Sequence, residues 1–312
     1  MRRAFLIYNP ASGRRKAKRA QAIARVIEMF RAAGVEVEAA ATTHAGSAIE
    51  QAREGAKAGY DTVIACGGDG TVNEALNGLV AASANAALGV VPLGSGNLLA
   101  SDLGLPMHPL AAAQKLLTYQ PRDFRPGTVT SLRNGAAEKR CFLVAAGVGS
   151  DAELMYRTAV EAKERWGRNA YFLEMARMAL KGGYPSFKIE WEDEQGTRRQ
   201  DRATLAMAVR AARFPGLLRL VNLGTALTRD SFCLLLFRTA KVRRFLSYFA
   251  GVATGMNWKV KDVEVAHSRW FRCTPLAHTG EVIHSQADGE LLGTLPVEVG
   301  IESKPVKLLM EP

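Results

Sequence analysis

Residues Ile64–Leu79, IACGGDGTVNEALNGL, constrain this chain more than any other segment, because an apolar strand enters a glycine and aspartate turn and leaves directly as a helix. Such a junction binds phosphate. Gly67, Gly68 and Gly70 lack a Cβ, so the backbone can take positive φ there and press its N–H groups against an anion. Thr71 and Glu74 match a capping box, T-x-x-E, which places a helix N-terminus and its positive dipole end at the same spot. Asp69 is the discordant member. A carboxylate inside an anion-binding turn repels phosphate unless a divalent cation lies between them or the group takes part in proton transfer. A solvent-facing Asp-Gly turn is the alternative, but an ordinary turn has no use for three glycines and a cap together.

Two further segments repeat the pattern. Asn9-Pro10-Ala-Ser12-Gly13 follows the first apolar run, where an open α/β sheet exposes its carboxyl ends. Asn9 and Ser12 can hydrogen-bond phosphate or ribose, and Gly13 allows close approach. Asn-Pro and Ser-Gly are also common turn dipeptides, so this segment alone is a weak signal. Pro92-Leu-Gly94-Ser95-Gly96-Asn97 again leaves a strand through glycines toward a helix. Neither G-x-x-x-x-G-K-[ST] nor a G-x-G-x-x-G after the first strand occurs, which excludes a P-loop enzyme and the dinucleotide-binding fingerprint.

Periodicity arranges these turns in a recognisable order. Strands are predicted at Ala4–Tyr8, Val35–Ala41, Thr62–Cys66 and Leu88–Val91, alternating with helices at Arg19–Ala33, Ala48–Ala58 and Val72–Ala81. That alternation indicates βαβ units and a parallel, Rossmann-like α/β sheet over the first 120 or so residues. After Pro121 the pattern turns to strands separated by polar turns, at Arg140–Ala146, Phe187–Trp191, Thr204–Val209, Ser231–Phe237, Val263–Ala266 and Pro296–Ile301. These predict an antiparallel β-sandwich, interrupted by helices near Leu154–Lys181 and Arg243–Thr254. The expected organisation is an α/β domain over residues 1–124 and an all-β domain over 125–312, with residues from about 296 packing back on the first. A cleft between the two is the expected active site.

Composition narrows the partners. Lys plus Arg minus Asp plus Glu gives 41 − 30 = +11, a bias toward nucleic acid, an acidic membrane face or phosphorylated substrates. No recognition module or basic-aromatic sheet pattern accompanies the charge, so nucleic acid is not expected. Cys66, Cys141, Cys233 and Cys273 are far apart within apolar runs and read as buried thiols of a reducing compartment. The opening MRRAFLIYNP reads as a strand and not as a signal peptide, and no apolar run approaches the length of a membrane span. Any membrane contact is therefore expected to be peripheral, from a cytoplasmic protein.

NPASG, GGDGTVNEALNGL and PLGSGNLLA, in this order, resemble the diacylglycerol kinase catalytic domain family, which includes bacterial soluble lipid kinases, sphingosine kinases and ceramide kinases and is related to NAD kinases. FLVAAGVGSDAEL from Phe142, ALTRDSF from Ala226 and QADGE from Gln286 extend the likeness to the second half. The resemblance implies an ATP-dependent lipid kinase acting on diacylglycerol, phosphatidylglycerol or a sphingoid-like lipid. ATP would lie among Asn9, Pro10, Ser12, Gly13, Thr42, Gly67, Gly68, Asp69, Gly70, Thr71, Asn73, Glu74, Gly94, Ser95, Gly96 and Asn97. Asp69 would orient the phosphates and their magnesium, and Glu290 would be the general base. A cation site is implied at Asp230 with the backbone oxygens of Leu227 and Phe232, and Asp288 is a further metal candidate. A plain strand-turn aspartate is the alternative at Asp230.

Two positions depart from the family pattern. Leu98 and Arg125 stand where acidic residues are usual, and Asp123 is two residues from the second of them, several ångströms along an extended chain. Two other readings follow: an NAD or polyol kinase of the same superfamily, or an ATP- and lipid-binding regulator with an impaired metal network. Leu154–Leu180 carries Met155, Tyr156, Trp166, Tyr171, Phe172, Met175 and Met178, a stripe suited to a lipid pocket or to ordinary core. Arg210–Leu220, RAARFPGLLRL, reads as a membrane-dipping loop or as a loop packed on the sandwich. The basic run Arg14–Arg19 would steer the chain to anionic lipid or ATP, or simply start a helix. Oligomeric state is open, with a homodimer among the options.

Overall fold

A computed structural model describes residues 1–10, 16–133, 135–150, 152, 184–211, 227, 229–239, 241, 244, 247, 262–276 and 282–312. The helices expected near Leu154–Lys181 and Arg243–Thr254 and the loop after Ala211 lie largely outside the described residues. The chain forms two compact units, one of residues 1–126 with 302–312 and one of residues 127–301.

The first unit is an α/β layer structure. Strands β1 (Arg3–Tyr8), β2 (Glu36–Ala41), β3 (Thr62–Gly67) and β4 (Ala87–Pro92) alternate with helices α1 (Lys16–Ala32), α2 (Ser47–Lys57) and α3 (Asp69–Ala82), followed by α4 (Leu98–Asp102), α5 (Pro109–Leu116) and β5 (Gln120–Phe124). The last strand of the chain, β17 (Val306–Met310), returns to this sheet. The strand order is β2-β1-β3-β4-β17-β5, parallel throughout except for the antiparallel β17–β5 pair. All six residues of β3 and all six of β4 are buried, which is why both read as unbroken apolar runs. Helices α2 and α3 cross closely because Gly78 carries no side chain; a Cβ there would lie 2.3 Å from the Ile49 carbonyl oxygen.

The second unit is all β. Its strands are β6 (Gly127–Arg133), β7 (Ala136–Phe142), β8 (Ala145–Gly149), β9 (Phe187–Glu192), β10 (Arg198–Ala203), β11 (Leu205–Val209), β12 (Phe232–Phe237), β13 (Val263–Ser268), β14 (Phe271–Pro275), β15 (His284–Ala287) and β16 (Glu290–Ile301). They hydrogen-bond as one eleven-stranded sheet in the order β10-β9-β14-β16-β15-β8-β11-β12-β13, with β6 and β7 branching from β16. The sandwich expectation is therefore met by a single antiparallel sheet that branches, and strands from both branches share one core. Val129 and Phe142 from the branch join Phe187, Trp191, Phe232, Leu234, Phe271 and Val299 in that core. Phe232 and Phe271 meet edge to face with centroids 5.7 Å apart.

The predicted strand Arg140–Ala146 is two strands, β7 and β8, interrupted at Leu143 and Val144. All four cysteines are free and buried. Burial pushes the Cys233 thiol up to about 12 and raises Cys66 and Cys273 as well, so these thiols serve as apolar core. Among the described residues, no helix is long and apolar enough to cross a membrane.

Candidate functional site

The β1, β3 and β4 strands lead into the glycine turns at the carboxyl edge of the first sheet. Strands β2 and β3 flank β1 on opposite sides, so chain order reverses at β1, which is where open α/β sheets bind ligands. The register Tyr8↔Cys66 sets Asn9 beside the β3 exit, and the Asn9 N–H donates to the Cys66 carbonyl at 3.3 Å. Thr42, just past β2, donates its N–H to the Tyr8 carbonyl at 2.8 Å. Leu93, just past β4, donates to the Gly67 carbonyl at 2.9 Å. Pro10 is exposed at the end of this run, while Ser12 and Gly13 lie outside the described residues.

The β3 and β4 turns touch backbone to backbone. A Cβ on Gly94 would sit 2.4 Å from the Gly68 Cα, and one on Gly96 would sit 2.6 Å from the Asp69 Oδ2. Gly67, Gly68 and Gly70 do not use the left-handed conformation open to them: Gly68 has φ −87° and ψ −175°, and none of the three has positive φ. What the site requires of these glycines is space. A Cβ on Gly67 would lie 2.5 Å from the Thr71 Oγ1.

The capping box is also corrected. Helix α3 begins at Asp69 with Gly68 as its N-cap and no side-chain cap, so Thr71 lies inside the first turn, buried under Gly67. Glu74 turns away to α2, where its carboxylate accepts the N–H groups of Gly46 at 2.8 Å and Ala48 at 3.2 Å. Glu74 thus stabilises a neighbouring helix start and leaves the first turn of α3 without a side-chain acceptor. Asn73 is buried and accepts from the Asn77 amide through both its carbonyl oxygen, at 2.9 Å, and its Oδ1, at 3.0 Å.

Asp69 links the two turns. Its Oδ1 accepts the Leu98 N–H at 2.6 Å, at the start of α4. Asn97, in the left-handed region at φ 52°, closes the β4 loop by accepting from the Gly94 N–H at 2.9 Å and donating to the Gly94 carbonyl at 2.8 Å. Ser95 and Gly96 at the loop tip are exposed. Burial raises the Asp69 carboxyl above the usual carboxylate range, opposed by main-chain N–H groups around Leu98. Leu98 makes its contact through the backbone, so the missing acidic side chain leaves this bond intact.

The second unit carries the acceptor-side candidates. Asp288 (φ 48°) and Gly289 (φ 91°) form the two-residue turn between β15 and β16, with both residues in the left-handed region as a type I′ hairpin requires. Glu290 follows, exposed, as the first residue of β16. The Asp288 carboxylate accepts the N–H groups of Leu143 at 2.7 Å, Val144 at 2.8 Å and Ala145 at 3.0 Å. This clamp explains the break between β7 and β8. It also engages both Asp288 oxygens with main-chain amides.

The turn at Asp230, where a cation site is implied, is held by arginine side chains. Arg210, fully buried after β11, donates from Nη1 to the carbonyls of Arg229 at 2.8 Å and Ser231 at 2.7 Å. Arg269 donates from Nε to the Asp230 carbonyl at 2.8 Å, with its Nη2 3.9 Å from the Asp230 Oδ2. Burial lowers the Arg210 guanidinium to about 10, opposed by Asp230, so it stays charged at neutral pH. The Phe232 backbone is paired in the β12–β13 ladder, and Leu227 is buried. In the sequence Arg210 opens a segment that reads as a membrane-dipping loop or as a loop packed on the sandwich. The overlooked signal was an arginine directly after the wholly apolar strand LAMAV.

Arg125 and Asp123 are both exposed at the end of β5. Among the described residues no group of three or more His, Cys, Asp or Glu side chains is placed to hold a metal. Among the described residues Asp69 is a carboxylate at the glycine turns and would be a ligand for a phosphate-bound cation there.

This geometry agrees with what the chain is similar to. The diacylglycerol kinase catalytic domain matches residues 3–129. A diacylglycerol kinase of Bacillus subtilis (strain 168) is 31% identical over 299 residues, covering 96% of this chain and 93% of that protein. A diacylglycerol kinase of Staphylococcus saprophyticus is 31% identical over 193 residues, covering 62% of this chain and 60% of its own length. A crystal structure of a diacylglycerol kinase from Bacillus anthracis str. Sterne shares the fold, with a TM-score of 0.72 over 99% of this chain and 97% of that one at 20% identity. Full-length similarity and the paired glycine turns lead to one assignment: the chain belongs to the diacylglycerol kinase catalytic domain family, a family of lipid kinases.

Proposed function

We propose that this protein transfers the γ-phosphoryl group of ATP to the hydroxyl of a membrane lipid, with diacylglycerol first among the candidates. The observation that carries the ATP reading is the contact of the Gly68 and Gly94 backbones beside the first turn of α3, which has no side-chain cap. That arrangement leaves main-chain N–H groups and the positive end of a helix dipole for a phosphate chain. Magnesium, when bound with the nucleotide, would neutralise phosphate charge. Asp69 would orient it from the β3 turn.

In the proposed reaction the lipid oxygen attacks the γ-phosphorus, the bond from that phosphorus to the bridging oxygen breaks, and ADP leaves. The hydroxyl proton passes to the Glu290 carboxylate, because the lipid oxygen becomes electron-poor, and its proton more acidic, as it bonds to phosphorus. The net charge of +11 favours an anionic membrane face, so the protein is proposed to work as a peripheral enzyme on the cytoplasmic leaflet. The retained Leu98 N–H to Asp69 bond speaks for an active site over an impaired one.

The test is phosphorylation of lipids in mixed micelles with labelled ATP, with the product identified by mass spectrometry. Turnover is expected with magnesium and is expected to be lost in Asp69→Ala and in Glu290→Gln. Full activity in both variants would remove the mechanism, and labelling of NAD or a polyol without lipid would reassign the acceptor. Nucleotide binding without turnover on any lipid, rescued by Arg125→Asp, would identify the metal network as impaired.

A further inference from the structure

We infer that the turn at Arg229–Ser231 is held by a cation built into the chain, the Arg210 guanidinium, so that this turn of the second unit folds without a divalent ion. Three successive carbonyl oxygens, of Arg229, Asp230 and Ser231, each accept an arginine N–H, at 2.8, 2.8 and 2.7 Å. Arg210 enters from the end of β11, where its own N–H bonds the Val144 carbonyl at 2.8 Å and none of the residue is exposed. Arg269 reaches the turn from the surface between β13 and β14, with a side chain 68% exposed.

A divalent ion at this turn would need a shell of oxygen ligands at about 2.0–2.6 Å, depending on the ion. The carbonyls of Arg229, Asp230 and Ser231 are instead aimed at arginine N–H donors. Placing a second positive charge beside a buried guanidinium adds repulsion in a poorly solvated setting, where such repulsion is strongest. A guanidinium also suits the task, because its planar fork bonds two carbonyls at once and remains charged at neutral pH. This inference concerns how the second unit is stabilised and holds whether or not the phosphoryl-transfer reading is correct.

The experiment is a thermal melt of the full chain without nucleotide, after exhaustive chelation and then with added magnesium, manganese or calcium. The expected result is a midpoint unchanged within about 1 °C, since no ion binds the folded state preferentially at this turn. A saturable rise of several degrees that Asp230→Asn abolishes would overturn the inference. A rise that persists in Asp230→Asn arises elsewhere and is consistent with it. Arg210→Met is expected to lower the midpoint by roughly 5 °C or more, and an unchanged midpoint would overturn the inference. Should that variant fail to fold, the wild-type melt and Asp230→Asn decide the matter alone.

Discussion

Gly94 shows how one missing methyl group makes room for two turns to touch. Its Cβ would fall 2.4 Å from a backbone atom, the Gly68 Cα, which no rotamer change can relieve. Gly94→Ala is therefore expected to force the turns apart at a cost of about 1–3 kcal/mol. About tenfold weaker nucleotide binding should follow, since about 1.4 kcal/mol corresponds to that factor. Calorimetric titration with ATP, beside a melt to confirm folding, measures both. Asp69 carries a second prediction at this scale. Burial raises its carboxyl, so the folded chain holds that proton more tightly than the unfolded chain does. Stability from this group thus increases as pH falls through the raised titration range, and ionisation above that range costs stability. Asp69→Asn, which keeps an oxygen for the Leu98 N–H, is expected to melt higher than wild type near pH 8. The difference should shrink on acidification, while turnover is lost at every pH. A wild type that is the more stable at pH 8 would contradict this. The glycines and Asp69 were legible in the sequence because a strand, glycines and a helix leave few alternatives. The sign of φ was not, since a glycine kept for space and one kept for handedness look the same in sequence.

Elements are joined by side chains whose partners lie far along the chain. Asp288 sits 143 to 145 residues from the amides it accepts at Ala145, Val144 and Leu143. Those three residues are buried, so removing the carboxylate strands three N–H groups. Asp288→Ala is expected to cost about 3 kcal/mol, near the upper end of the penalty for losing charge-assisted bonds, with Asp288→Asn intermediate. Urea denaturation of the full chain reads this as a lower midpoint, and equal midpoints for all three proteins would refute the clamp. Glu74 makes the same point between helices, because its T-x-x-E spacing suggested a local cap while the structure sends it to α2. Strands β3, β4, β11 and β12 were predictable because each is a buried apolar run. The strands β10 and β5, with exposed polar residues and a proline, carried no such signal.

At the scale of the whole molecule the chain returns at its end to the unit in which it began. Strand β17 lies between β4 and β5, and its Leu308 and Leu309 are 1% and 3% exposed. A chain ending at Ile301 keeps every glycine turn yet loses an internal strand of the first sheet. It is expected to lose cooperative unfolding of that unit and ATP binding with it, as read by circular dichroism and titration; retained binding would show that β17 is dispensable. The tail contributes little local signal of its own beyond VKLLM, since a strand paired on both sides is stabilised by neighbours far away in sequence. Sequence alone determined that a Rossmann-like layer with three glycine turns precedes an all-β half, because periodicity and the absence of a Cβ act locally. Only the tertiary structure decided that Glu74 caps another helix, that Asp288 holds main-chain amides and that Arg210 holds the turn around Asp230. Charged and polar groups take whichever partner the fold brings within hydrogen-bonding distance, and that choice is not made until the chain is packed.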